Sequence, residues 1–257
     1  MISTKRTAGI EGDNAMTTNR RAAIFVGVMF IFATVSAMLA AFFFYPPILT
    51  GPDYLINGAA HSNQVVLGAL MDLVLVCTAI GTAIGLFPVL RPYGERIALG
   101  HLCFRFLEAV VITIGIVAVL SLLTVSQNFV AAAAPDASAF LVVGTLLRTV
   151  YKWTFALGPL FFLGINTSMY SYLLYKSRLV PRPLAVLGLS GATLVFIYAL
   201  LVLFGVVPQL SVWAILALPI AAYEMILAGW LIVKGFNPAA IASESARTGR
   251  NELLSAA

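Results

Sequence analysis

Long apolar runs alternate with short polar breaks along this chain. Six runs reach about 20 residues, the length an α-helix needs to cross a bilayer. They cover about Ala22 to Tyr45, Gln64 to Leu90, Ile97 to Thr124, Trp153 to Tyr175, Leu184 to Val207 and Ser211 to Val233. Prolines and polar residues punctuate the gaps, Pro46-Pro47 and Pro208 among them, as helix ends require. The pattern predicts an all-α fold, a polytopic integral membrane protein with six transmembrane helices.

Arg20-Arg21 precede the first run as they would a signal peptide. Its apolar stretch of about 24 residues exceeds the roughly 7–15 of a signal core. It also runs into Phe42-Phe43-Phe44 with no small-residue cleavage site, so it reads as a retained anchor. Met16 is an alternative start, and residues 1–17 read as a disordered cytoplasmic tail. The membrane domain is expected over 18–236 and a cytoplasmic C-terminal tail over 237–257.

The stretch from Ser126 to Lys152 does not fit a simple loop. Pro135-Asp136 is a helix-start signal with Asp136 as N-cap. A helix from there to Tyr175 would be about 60 Å long at 1.5 Å per residue, about twice a bilayer core. Thr145, Arg148, Thr149 and Lys152 share one face, and Phe140, Val143, Leu147 and Val150 another. This predicts an outer amphipathic helix between spans three and four. Gly158-Pro159 offers a kink within span four.

Composition excludes the alternatives. Hydrophobic residues make up 61% of the chain and charged ones 10%, against roughly a quarter charged in soluble domains. Too few charges remain to coat a soluble surface, and disorder needs the opposite balance. The net charge of +5 follows from the retention of Lys and Arg by cytoplasmic loops, and no nucleic-acid partner is needed to explain it. Lys5, Arg6, Arg20, Arg21, Arg91, Arg96, Lys176, Arg178, Arg182, Lys234, Arg247 and Arg250 fall in the tails and alternate loops. The intervening loops around 46–63 and 207–210 hold none. Both termini are therefore expected in the cytoplasm, with the chain in the inner (plasma) membrane. Trp153, Trp213 and Trp230 near span ends read as interfacial anchors.

Recognisable catalytic chemistry is missing from the sequence. It has no Walker loop, GxSxG elbow, HExxH helix or zinc-ligand spacing, so no cofactor is implied and enzyme activity has no support. Cys77 and Cys103 would differ in height by roughly 10 Å, too far for a disulfide.

The informative residues are the ionisable ones inside the runs, each costing about 2.5–3.5 kcal/mol at a helix centre. They are Asp72 in span two, His101, Arg105 and Glu108 in span three, and Glu224 in span six, with Arg148 and Lys152 near the outer end of span four. Together these seven residues form the candidate intramembrane polar site. Without the histidine they make three acids and three bases, a self-neutralising set. His101, Arg105 and Glu108 follow i, i+4, i+7 spacing on one helix face. Asp72 shares a face with Gly68, Ala79 and Ala83, and Glu224 with Ala217, Ala221 and Ala228. Small residues mark helix contacts in lipid, so each acid faces inward. By rise per residue Asp72 lies about 12 Å and Glu224 about 20 Å from the outer surface, and Arg105 and Glu108 about 12–16 Å from the inner one. With Arg148 and Lys152 they would form a stepped polar path. His101 lies near the cytoplasmic interface, where hydration is the simpler reading. Gly81 and Gly85 make a helix-packing GxxxG pattern.

Two functional readings follow. The chain is a small-molecule or ion transporter or ligand-binding membrane protein with a charged cavity, or a structural or regulatory protein whose buried pairs lock its helices. Glu108 and Glu224 fall at similar places in two triplets of opposed topology, as in transporters with inverted repeats, although any six-span chain has opposed halves.

Several stretches carry a resemblance. They are Asn63-Gln64 with Gly68-Ala69-Leu70, Phe104-Arg105-Phe106-Leu107-Glu108, Ala134-Pro135-Asp136-Ala137-Ser138, and Tyr172-Leu173-Leu174-Tyr175 with Pro181. The most specific runs from Glu224-Met225 through Trp230-Leu231-Ile232-Val233 to Lys234-Gly235-Phe236-Asn237-Pro238. On these the chain, from about Thr18 to Ala242, resembles the bacterial membrane-protein family known as domain of unknown function 4386. Lys152-Trp153 departs from that family, in which an acid often precedes the tryptophan. The resemblance implies a six-helix inner-membrane protein and brings no activity, substrate or cofactor.

Overall fold

The computed structural model describes residues 2–132, 138–209 and 211–255, with side chains over 18–132, 138–209, 211–244 and 246–247. Its helices are α1 (Ile2–Leu39), α2 (Pro46–Leu49), α3 (Tyr54–Ala60), α4 (Ser62–Leu90), α5 (Glu95–Ala132), α6 (Ser138–Phe155), α7 (Leu163–Ser177), α8 (Arg182–Leu203), α9 (Leu218–Val233) and α10 (Pro238–Ser255). Six continuous helical stretches are long and apolar enough to cross a membrane: Thr18–Phe44, Ser62–Tyr93, Glu95–Ala132, Ser138–Ser177, Arg182–Leu203 and Val212–Val233. These are spans one to six, as the hydrophobic pattern predicts.

Each span packs on the next, and the sixth returns to the first, so the six close into a ring. The closure is fixed at one end by Arg20, which donates to the carbonyls of Leu231 at 3.0 Å and Ile232 at 2.6 Å. The Leu231 carbonyl also accepts from the Gly235 backbone at 3.1 Å, so Arg20 adds a second donor there, and a guanidinium at a helix C-terminus complements the helix dipole. The start of span one and the end of span six therefore share one end of the bundle, called here the terminal end.

The ring is filled unevenly. In the terminal half one apolar cluster draws on all six spans, including Phe30, Leu86, Ala98, Tyr170, Ala185 and Leu227. In the far half the core divides. Tyr45, Ile48, Tyr54 and Leu122 belong to one cluster, Leu160, Val195, Tyr198 and Ile220 to another, and Ala69, Ile112 and Ile116 to a small third. A cavity lies between them.

Small residues set the close approaches. A Cβ at Gly85 would lie 2.6 Å from Val26, and one at Gly81 3.0 Å from the Met29 sulfur. The GxxxG face is therefore the seam between spans one and two. Cys77 and Cys103 are free and exposed.

The element boundaries differ from the sequence reading in three places. Span three continues to Ala132, making α5 a 38-residue helix of about 57 Å. The amphipathic segment is α6, which packs along α5 and continues into α7 through a π-helical turn, Ala156–Phe162, that contains Gly158-Pro159. The extra residue per turn takes up the proline without ending the helix. Phe140 and Leu147 pack inward, whereas Val143 from the same predicted face is exposed. The stretch 2–17, expected to be disordered, extends α1. No proline interrupts it, and propagating an existing helix adds one hydrogen bond per residue fixed. The N-cap expected at Asp136 lies outside the described residues.

Candidate functional site

The cavity has a volume of about 240 Å³ and is bordered by all six spans. Four of the seven sequence candidates line it: Asp72, Arg105, Glu108 and Glu224. Periodicity placed each acid on a packing face, and the ring turns those faces onto a common space.

Arg105 and Glu108 form its floor. Spaced i, i+3 on α5, they are 2% and 3% exposed, within the direct reach that this spacing allows. One guanidinium nitrogen donates to both carboxylate oxygens, at 3.2 and 3.0 Å. The Arg105 Nε donates to the Ala79 carbonyl of span two at 3.3 Å. From span four, the Asn166 amide donates to Glu108 and, at 2.9 Å, to the Phe162 carbonyl. Three spans are thereby tied to one ion pair, and the pair has the added hydrogen bonds that buried charges require.

Glu224 is held differently. The Thr34 hydroxyl of span one donates to its Oε2 at 3.0 Å. Its Oε1 is buried and has no hydrogen-bond partner. Asp72 accepts a 2.8 Å bond from the Tyr45 hydroxyl, and Tyr45 is held edge-on by Tyr151, with ring centroids 5.6 Å apart. Tyr45 follows a π-helical turn at Ala40–Phe44, so both π-helical turns border the cavity, through Ala41 and Phe42 on one and Pro159 and Leu160 on the other. Such turns occur often at functional sites.

The other three candidates lie elsewhere. His101 is 1% exposed, with Tyr170 edge-on at 5.1 Å. The expectation of a hydrated histidine is corrected, because span four closes over it. Arg148 stacks 4.3 Å over the Tyr54 ring and donates to the Leu49 carbonyl at 2.5 Å. Lys152 is exposed, 5.5 Å from the Trp153 ring. The stepped path from Arg148 inward does not form. The self-neutral set is corrected with it: the cavity holds three carboxyls and one guanidinium.

Thr34, Tyr45, Tyr151 and Asn166 were missed in the sequence. Asn166 had a legible signal, as an amide inside an apolar run. Thr34 had none, since threonine is common in spanning helices and usually bonds its own backbone.

A family model described as a domain of unknown function, DUF4386, matches residues 25–235. The chain belongs to this family. The DUF4386 match takes in every residue that lines the cavity. Neither a curated protein nor a solved structure matches the chain. The end of the matched range and the residues just after it close the terminal end of this DUF4386 protein. Gly235 adopts a φ of 75°, which glycine tolerates without strain, and Phe236 is buried in the large cluster. Asn237 donates from its backbone to the Leu179 carbonyl at 2.9 Å and from its side chain to the Arg178 carbonyl at 3.2 Å. At the other end Gln64 donates to the Phe43 carbonyl at 2.7 Å, satisfying a group freed at the end of the first π-helical turn.

Proposed function

We propose that this DUF4386 membrane protein binds a small molecule in its intramembrane cavity, as a ligand-binding protein or a carrier. The supporting observation is the half-partnered carboxyl of Glu224 on a cavity wall near the middle of span six. An acceptor buried without a partner costs roughly 1–3 kcal/mol, so a ligand that pairs it gains where the empty protein loses. A structural reading is favoured for Arg105 and Glu108, whose mutual pairing and bonds to spans two and four are those of a lock. In this reading the lock fixes the floor, and Glu224 and Asp72 receive the ligand. The packed terminal half closes the cavity toward the terminal end. For a carrier, this conformation would be the one shut on that side.

We further propose that the protein lies in the inner membrane with the terminal end in the cytoplasm, on the strength of the Lys and Arg distribution. A thermal-stability screen of the purified protein against metabolites and lipids tests the binding reading. Ligand at 100 times its Kd stabilises by about 2.7 kcal/mol. A hit should raise Tm in the wild type and not in Ala221→Phe, which fills the cavity. A screen without hits, or hits indifferent to Ala221→Phe, would defeat the reading.

A further inference from the structure

We propose that the cavity takes a small hydrophobic cation, an amine or quaternary ammonium bearing an apolar group, with Glu224 as its counter-ion. This rests on the binding reading above and names the chemistry of its ligand.

Charge is the first argument. Three carboxyls border the cavity and one guanidinium does, and that guanidinium is engaged by Glu108. The hydrogen-bond partners of Asp72 and Glu224 are hydroxyls, from Tyr45 and Thr34, and the field of Arg105, which reaches Glu224, is shared with Glu108. Charges buried in a low-dielectric space need a partner, and the space left beside these two acids is suited to positive charge. The second argument is the free Glu224 Oε1, on a side chain 8% exposed. As a carboxylate it offers an acceptor and no donor, so in that form it discriminates against anions.

The walls define the rest of the ligand. Ala37, Met38, Leu75, Ile112 and Leu160 present apolar surface, and Phe42, Tyr151 and Phe155 add aromatic rings. Aromatic faces attract organic cations, most strongly when desolvated. Among the described residues no group of three His, Cys, Asp or Glu side chains converges as a metal-binding set. The carboxyls are spread along a space that a molecular cation fills better than a bare ion. Its volume of about 240 Å³ is below the roughly 300–1,000 Å³ typical of drug-sized ligands, so the ligand is small. Met38 and Phe42 border the cavity while 51% and 64% exposed. The span-one wall is thus open to apolar surroundings, an entry a hydrophobic cation can use.

The test is thermal unfolding of the purified full-length protein in detergent. Three probes are titrated: benzyltrimethylammonium, its neutral carbon isostere neopentylbenzene, and phenylacetate. The cation should raise Tm saturably, and the other two should need at least tenfold higher concentration. Glu224→Gln, which keeps an acceptor for Thr34, should weaken the cation at least tenfold, about 1.4 kcal/mol, and leave the neutral probe unchanged. Asp72→Asn should weaken the cation by a smaller factor and serves if Glu224→Gln fails to fold. Equal shifts by cation and isostere, or a cation shift untouched by both variants, would overturn the counter-ion role while leaving a binding cavity. No shift with any probe would overturn the cation proposal. The binding reading would then stand on a neutral or anionic screening hit that Ala221→Phe abolishes, and would fall without one.

Discussion

Glu108 accepts hydrogen bonds from Arg105 and Asn166, so neutralising it leaves a guanidinium buried without its counter-ion. Breaking a buried pair from one side costs about 3–5 kcal/mol. Glu108→Gln should lower unfolding stability by that amount, measured by denaturant titration in detergent. Glu224→Gln should behave otherwise. Its amide oxygen can still accept from Thr34, and no cation within salt-bridge distance is stranded. A change within about 1 kcal/mol is expected, the size of one ordinary hydrogen bond. Equal losses in the two variants would make Glu224 part of the lock and remove the reason to assign it a ligand. Periodicity in the sequence was enough to bring Arg105 and Glu108 together and to turn Asp72 and Glu224 inward. It could not supply Thr34, Tyr45 or Asn166, because a partner on another helix depends on how each helix is rotated and raised in the bundle.

At the scale of elements, glycine positions report which helix faces are committed. A Cβ on Gly188 of α8 would lie 2.4 Å from the Tyr223 ring and 2.5 Å from the Ser171 hydroxyl. It would force apart the 3.0 Å bond between Ser171 and Tyr223 that joins spans four and six. Gly188→Ala should cost about 1–3 kcal/mol, the usual range for overpacking. On α9, a Cβ at Gly229 would meet nothing within 4 Å. Alanine is the better helix former there by roughly 0.5–1 kcal/mol, so Gly229→Ala should be neutral or stabilising in the same unfolding assay. A loss at Gly229 matching that at Gly188 would mean that this face of α9 is covered. The long α5 and the unbroken passage from α6 to α7 belong to this scale too. Hydropathy placed the end of span three near Thr124, where the apolar run weakens. The helix runs on to Ala132 because α3 and α6 pack against it.

At the scale of the whole molecule, the start of span one and the end of span six share the end where Arg20 caps α9, and the loop after span five lies opposite. The orientation proposed from the Lys and Arg bias has the terminal end in the cytoplasm. In a background lacking Cys77 and Cys103, a membrane-impermeant thiol reagent applied to intact cells should label Val206→Cys and spare Ala239→Cys. Labelling of Ala239→Cys alone would invert the orientation.

The sequence by itself determined the membrane, the six spans and the inward faces of the acids. These follow from local quantities: the length of an apolar run, the spacing of small residues, and the cost of a charge in hydrocarbon. Only the tertiary structure decided which charges share a space. It closed spans one and six into a ring and split the rest of the core into three clusters. It left Arg148, Lys152 and His101 outside the cavity, turning an apparently neutral set into three carboxyls facing one engaged guanidinium. The physical reason is that pairing energy depends on distances between helices, and those are set by packing across the bundle, which a one-dimensional pattern does not contain.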